Sequence, residues 1–344
     1  MHSIDIIITT YNRSEKVKLL LGQLLLIERE NGEIIVVDSS DIPIRDKISG
    51  IQIKYIYSWH KNQPYQRYLG FLSSKAEILI FIDDDLEVVD DEFIKKVDGL
   101  FNEEGLAGIA LKFENKHNSS SLSIIPGSKF VGNEGQLQKL KRFITGYPKL
   151  PRGKFGLCGN KGLQPLGGGL TEWVSGGAFA ARHSAMFQNF NFQLFDIFED
   201  GLGMGEDGII GYGLSKKGKL IYNDELFFLH NDQMDSTYTN NIEVFSKKVA
   251  FSRLYLSLEK CRLDSSSYFL ARLHYHYYMF WRFMGLVLNY LMAPAKVRLE
   301  TLKGTFKGWS LATEFKFSSH NERFSYWNAE ATNDLSVAGT DIGN

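Results

Sequence analysis

Three adjacent carboxylates, Asp83-Asp84-Asp85, end the apolar run Glu77–Asp83 (E-I-L-I-F-I-D). Neighbouring carboxylates repel, and burying them unpaired would cost several kcal/mol each, so this triplet calls for a cation. In an extended chain Asp83 and Asp85 point to one face and Asp84 to the other. Hard oxygen ligands suit Mg²⁺ or Mn²⁺, ions that retain waters and hold substrate phosphates. The plain alternative is a solvated acidic turn, since Glu87, Asp90 and Asp91 follow. Val88 stands where the sharp-turn glycine of an EF-hand loop belongs, which argues against that motif. A second acidic pair, Glu206-Asp207, opens a helical pattern that runs to Lys216-Lys217-Gly218. Acids are favoured at a helix N-terminus by the dipole alone. The catalytic reading makes one of them a general base for an attacking hydroxyl. His230 ends the apolar run Phe227-Phe228-Leu229 and is either a third metal ligand or a structural histidine.

Three further positions carry chemistry less directly. Asp38 is either a turn residue or an acceptor for a ligand N–H, such as the imide of uracil or thymine. Arg67, in Gln66-Arg67-Tyr68-Leu69-Gly70, is a helix-surface cation or reaches a diphosphate. Gly176-Gly177, within Trp173-Val174-Ser175-Gly176-Gly177-Ala178, marks a bulge or the close approach of backbone to a ligand.

The elements that must position these residues alternate regularly. Ile4–Thr9, Glu33–Asp38, Ile51–Tyr57 and Glu77–Asp83 read as strands, and segments starting near Ser14 and spanning Asn62–Ser74 read as helices, with Asn12 or Ser14 available to cap the first. This order predicts an α/β domain with a mostly parallel sheet, where ligands bind beyond the carboxyl ends of the strands. Thr9-Thr10-Tyr11-Asn12, Asp38-Ser39-Ser40 and Asp83-Asp84-Asp85 all fall at those ends. Residues 111–170 read as long loops around short elements, Glu172–Arg182 as a strand, Glu206–Lys217 as a helix and Leu220–Tyr222 as a further strand. A helical region dense in aromatics (Tyr275, Tyr277, Tyr278, Phe280, Trp281, Phe283) follows from about 236 to 310, then a polar tail expected to be loosely held.

Composition narrows the class. The chain has 344 residues, 44% hydrophobic and 23% charged, which is ordinary for a globular protein. With 39 Lys and Arg against 40 Asp and Glu it has no global nucleic-acid footprint. Its two cysteines, Cys158 and Cys261, form no disulfide framework and suit a reducing cytosol. No basic leader precedes Ile6–Ile8, and the longest uncharged apolar stretch, Phe283–Ala295, is well short of the ~20 residues a spanning helix needs. The expected location is cytoplasmic.

Taken in order, Thr9-Thr10-Tyr11-Asn12-Arg13, Val37-Asp38-Ser39, Arg67, the Asp83–Asp85 triplet, Ser175-Gly176-Gly177, Glu206-Asp207 with its Lys-Lys-Gly turn, and His230 resemble the inverting nucleotide-sugar glycosyltransferases of family 2, over residues 4 to 232. The resemblance implies an α/β fold of GT-A type, a Rossmann-like half merged with an acceptor-binding half around one sheet. It divides the chain into a nucleotide-sugar half (1–110), an acceptor and catalytic-base half (111–235), a C-terminal helical region (236–316) and a flexible tail (317–344). It also implies roles: Thr9 and Tyr11 line the base pocket, and Asp38 accepts from a pyrimidine, favouring UDP or dTDP. Arg13 and Asp84 join the donor-binding set, Arg67 lies near the diphosphate, and Asp83 lies by the ribose. Asp85, with Asp83 and His230, holds Mn²⁺ or Mg²⁺. Gly176 and Gly177 border the donor sugar, and Asp207 is the catalytic base with Glu206 beside it. The sequence departs from the family where an Arg-Asn pair reads Arg67-Tyr68, and Trp173 precedes the Ser-Gly-Gly where members vary.

The implied enzyme moves a sugar from a nucleotide diphosphate to a hydroxyl of a glycan or lipid-linked saccharide, in cell-surface polysaccharide synthesis. Rival readings are a sugar nucleotidyltransferase, which would want a glycine-rich basic loop where Thr9–Arg13 stands, and a non-catalytic carbohydrate-binding protein. From Asn240 to Lys316 there are 12 Lys and Arg against 5 Asp and Glu, a basic excess in a chain otherwise near neutral. With its interleaved aromatics this region reads as a peripheral contact with the inner membrane face, or as a helical cover with a solvated basic face. Oligomeric state is not readable from the sequence.

Overall fold

The computed structural model describes residues 1–27, 32–115, 149–230, 241–318 and 320–340. The elements are β1 (Ile4–Thr10), α1 (Ser14–Leu24), β2 (Ile34–Asp38), β3 (Lys54–Tyr57), α2 (Gln63–Ser73), β4 (Ile78–Asp83), β5 (Leu86–Val88), α3 (Phe93–Leu100), β6 (Leu106–Asn115), β7 (Gly169–Leu170), β8 (Ala178–Arg182), α4 (Gln193–Glu199), α5 (Glu206–Ser215), β9 (Lys219–His230), α6 (Ile242–Leu263), α7 (Tyr268–Met292), α8 (Lys296–Glu314) and α9 (His320–Thr340). They fall into two compact units. One comprises Met1–Glu114, Gln164–His230 and Phe317–Asn344, the other Asn115–Leu163 and Asn231–Lys316.

In the first unit one sheet runs β3-β2-β1-β4-β8-β6-β9-β5, with β7 against β9. β1, β2, β3 and β4 pair in parallel. β8 runs against both β4 and β6, so β6 points the same way as β4. This is the α/β architecture with a mostly parallel central sheet that the strand and helix order predicts, with β8 inserted against the grain. Register decides what the strand ends present: Thr10 lies opposite Asp38, and Thr9 opposite Asp83. All seven residues of β1 are buried, because helices cover both faces. Ile6 and Ile8 pack with Val17, Leu20, Leu21 and Leu24 of α1, while Ile7 joins Tyr65 and Leu69 of α2 on the other face. Gly70 lets α2 close on β1, since a Cβ there would lie 2.4 Å from Cγ2 of Ile7.

Several boundaries differ from expectation. β3 begins at Lys54 and β8 at Ala178, leaving Trp173–Gly177 irregular, whereas β9 is far longer than Leu220–Tyr222 and carries His230 at its end. α1 starts without a side-chain cap from Asn12 or Ser14: Arg13 is its N-cap, and the Asn12 side chain exchanges hydrogen bonds with Asp41 instead. The expected loose tail is the largest correction. Residues 320–340 form α9, grouped with the first unit. Its Trp327 is 1% exposed, packed against His60, Tyr65 and Phe195, with Nε1 donating to Asp196 Oδ1 at 3.0 Å. Tyr65 donates to Asp334 at 3.0 Å, and His60 lies 3.5 Å from Glu330. A mostly polar helix is thereby anchored by one indole and a few directed polar contacts, not by a continuous apolar stripe.

The second unit packs α6, α7 and α8. Gly304 and Gly308, one helical turn apart, let α8 lie directly on α6: a Cβ at either would fall 2.1 or 2.3 Å from the carbonyl oxygens of Glu243 and Lys247. The expected aromatic helical region is therefore present from 242 to 314. Part of the expected 111–170 loop region and residues 231–240 lie outside the described residues.

Candidate active site

The carboxyl ends of β1, β2 and β4 gather the acids as the strand order requires, but each takes its own partners. Asp83, in register with Thr9, is partly exposed; its Oδ1 accepts from Arg67 Nη2 at 3.1 Å and from Gln63 Nε2 at 3.0 Å. The chain turns between β4 and β5, so the extended alternation expected of the triplet does not hold. Asp84 is buried and accepts from Thr10 Oγ1 at 2.6 Å and Arg13 Nη1 at 3.0 Å. Arg13 Nη1 also reaches Asp85 Oδ2 at 2.8 Å. Leu86 pairs with His230 across β5 and β9, bringing His230 Nε2 to 3.6 Å from Asp85 Oδ1. Burial, with Asp84, Asp85 and Glu206 nearby, pushes the Asp83 carboxyl up to about 8 even against Arg67. Asp84 is raised as well, chiefly by burial, opposed by its bonds to Thr10 and Arg13.

Arg67 joins this cluster to the second acidic pair. Its side chain is 1% exposed, and besides Asp83 it donates to the Gly176 carbonyl at 2.8 Å and to Glu206 Oε1 at 3.3 Å. Burial alone would lower its pKa, but Asp83, Glu206 and Asp207 outweigh that and hold the guanidinium firmly charged. Among the described residues its guanidinium binds β4, the 173–177 segment and α5 together. Gly205, at φ +80°, supplies the left-handed residue before α5 and sets the acids on its first turn. Gly176 lies beside Asp207: a Cβ on it would sit 3.6 Å from Cβ of Asp207, in ordinary contact. Gly177 holds the end of β4 through its carbonyl, which accepts from Asp83 N–H at 2.8 Å.

Asp38 has partners of its own. It is fully buried, and its carboxylate accepts from the N–H groups of Ser40 and Ile44 at 2.8 Å each and from the Tyr55 hydroxyl at 2.6 Å. These bonds close the 39–44 loop, as the turn reading of Asp38 requires. Tyr11 is exposed; its hydroxyl donates to Asp41 at 3.2 Å, and Lys61 lies 5.2 Å from its ring centre. Sequence reasoning missed the residues around it: Trp59, largely exposed beside Tyr57, the ion pair of Asp41 with Lys61, and Gln66, whose amide ties Thr10 O to Val37 O at 2.9 Å each. The Y-x-W-x-K spacing from Tyr57 to Lys61, just beyond the third strand, was the available signal.

Among the described residues no group of three or more His, Cys, Asp and Glu side chains converges as a ready ligand set, so the expected trio of Asp83, Asp85 and His230 is not assembled. Asp85 and His230 do come together, one hard oxygen and one imidazole donor. Burial first, and then the crowding of Asp85, Asp84 and Glu206, disfavours the charged form of Asp83, and a divalent ion would offset both.

Residues 5–150 match the model of glycosyl transferase family 2. Residues 5–150 form a segment of the family 2 glycosyltransferase type. No curated protein matches the chain. Among solved structures, residues 1–349 of S. aureus TarS align with a TM-score of 0.50 at 12% identity, over 98% of this chain and 90% of that one, and the same holds for that protein in complex with UDP-GlcNAc. A mannosyltransferase from Pyrobaculum calidifontis, in complex with GDP-Man and Mn²⁺, aligns over 100% of this chain and 88% of its own at 8% identity, with a TM-score of 0.44. The TarS pair shows the GT-A fold. The family sets this glycosyltransferase apart from both rivals, the nucleotidyltransferase and the non-catalytic sugar binder.

Proposed function

We propose that this glycosyltransferase moves a sugar from a nucleotide diphosphate, UDP or dTDP, to a hydroxyl of a glycan or lipid-linked saccharide, inverting the anomeric centre, in cell-surface polysaccharide synthesis. One observation carries the reading: Arg67 bridges Asp83 and Glu206, so acids more than a hundred residues apart share one site at the sheet's carboxyl edge. A single displacement needs a base on one side of the reacting carbon and a stabilised diphosphate on the other.

Asp207, beside Gly176, takes the proton from the acceptor hydroxyl. The freed oxygen bonds to the anomeric carbon as the bond to the diphosphate oxygen breaks, and the pair in that bond leaves with the nucleotide. Glu206 and Arg67 hold Asp207 and the 173–177 segment in position, and Gly176 and Gly177 border the sugar. Thr9, Tyr11 and Arg13 face the nucleotide end, where the exposed Tyr11 ring offers a stacking surface. Asp85 with His230 would hold Mn²⁺ or Mg²⁺, which supplies charge neutralisation for the departing diphosphate. The enzyme works in the cytoplasm, and residues 240–316 bring it to the membrane face as a peripheral protein.

The test is release of nucleoside diphosphate from a panel of UDP-, dTDP- and GDP-sugars with Mn²⁺ and candidate acceptors. Turnover of a UDP- or dTDP-sugar that disappears in Asp207→Asn supports the reading. Near-normal turnover in that variant removes Asp207 from its role.

A further inference from the structure

The last turns of α7 and the first of α8 form a hairpin in the second unit whose apolar side chains face outward. Phe280, Met284, Leu288, Leu291 and Met292 recur at helical spacing along one stripe of α7, and Val297 continues it across the connection. Phe280 is 47% exposed, and from Met284 to the tip exposure rises from 38% to 54% at Leu288 and 75% at Met292. The hairpin has its own inner seam, Phe283 against Phe306 and Trp309, so the outward stripe is additional to what holds the two helices together. Arg298 closes the connection by donating to the carbonyls of Asn289 and Ala293 at 2.8 Å each. Exposed apolar surface of this extent at a projecting turn marks an interaction site.

The charges around it select the partner. From Phe280 to Lys307 there are Arg282, Lys296, Arg298, Lys303 and Lys307 against Glu300, and of these Lys307 is paired with Glu243 of α6, which leaves a basic excess at the tip. Lys296 is 89% exposed at the tip. A second copy meeting this tip symmetrically would set these basic residues against their own kind. An anionic lipid surface would neutralise them while taking up the apolar stripe, with Trp281 at the level of the headgroups. Among the described residues no helix is long and apolar enough to cross a membrane, so the contact is interfacial.

We propose that the α7–α8 hairpin tip is the membrane-docking element: Leu288, Leu291 and Met292 enter the headgroup–acyl boundary of an anionic bilayer, and Lys296 and Lys303 engage lipid phosphates. This deepens the peripheral contact proposed above and rests on it. The full chain is floated with vesicles of phosphatidylcholine alone or with about a third phosphatidylglycerol, at ~0.1 M and ~0.5 M salt. Wild type is expected on anionic vesicles at low salt, with about tenfold less on neutral vesicles or at high salt. Leu291→Ser/Met292→Ser should lose about tenfold in binding with an unchanged melting curve, since both side chains are exposed. Lys296→Glu/Lys303→Glu should lose binding to anionic vesicles only. Tip variants that float like wild type would overturn the hairpin assignment while leaving the peripheral contact standing. Wild type that binds no vesicle would overturn both and leave the transferase reading untouched. A lipid-free dimer abolished by the tip variants would give the surface to a second copy, against the proposal.

Discussion

Two arginines in one site each span a pair of carboxylates, and their surroundings set them apart. Arg67 is 1% exposed and tied to Asp83, Glu206 and the Gly176 carbonyl, whereas the Arg13 side chain is 34% exposed and bridges Asp84 and Asp85 from the rim. A desolvated charge network of the first kind has no water to replace a lost partner, so it behaves as fixed scaffolding. In the rim bridge only the cation reaches water, so the guanidinium can be exchanged while its buried carboxylates stay in place. On the function proposed above, the inner knot sets where Asp207 stands and the outer bridge yields Asp85 to an arriving cation.

The comparison breaks most visibly at the inner knot. Arg67→Met leaves Asp83 and Glu206 without their shared cation, and should cost about 3–5 kcal/mol of stability in denaturant unfolding and abolish transfer. Wild-type stability in that variant would mean the knot is not structural. Arg67→Lys should fall between, because one ammonium cannot reproduce the fork. Asp207→Asn should lower kcat by about 10²–10⁴ while leaving unfolding and nucleotide affinity unchanged, separating chemistry from scaffolding. At the rim, Arg13→Ala leaves the buried Asp84 and Asp85 without their shared cation and should cost about 1–3 kcal/mol, less than the inner knot, and in calorimetric titration with Mn²⁺ alone should tighten binding severalfold by freeing Asp85. Weakened Mn²⁺ binding would show that Arg13 supports the ion and does not compete with it.

The smallest effect concerns a buried group outside the site. Cys158, lodged by its own N–H bond to Ser257 Oγ at 2.8 Å, has its thiol pushed by burial up to about 11 from an ordinary 9.0. Because the folded value is the higher one, its contribution to stability is intact below about pH 9 and lost as pH rises toward 11. Cys158 should be inert to a disulfide reagent at pH 8 until the protein is unfolded; rapid reaction in the native state would contradict its burial.

Much of this site was legible from the sequence because its signals are local. An apolar run of five residues, Ile78–Ile82, followed by three aspartates states both the strand and the edge at which it stops, and a glycine before Glu206-Asp207 states a helix start. What was not legible depends on partners distant in the chain. Asp38 is bound by Tyr55 on β3 and by loop N–H groups, and Arg67 by Glu206, 139 residues away. The direction of Asp84 follows from a tight turn between β4 and β5 that three identical residues cannot announce. β9 was cut short because Asn223, Asp224 and Glu225 interrupt its apolar run. α9 was missed because only Trp327 and Ala331 among its described positions are fully buried apolar residues, too few to leave a helical period.

That indole has a consequence for how the protein is made. Trp327 fills a space bounded by Tyr65 and Phe195, on the helix that bears Arg67 and on its neighbour. During translation Tyr65 and Phe195 emerge before residue 327 does, so the aromatic slot stands open to water and to chaperones until the indole arrives. Ordering of the site's inner helix is thereby tied to a segment made 132 residues after Phe195.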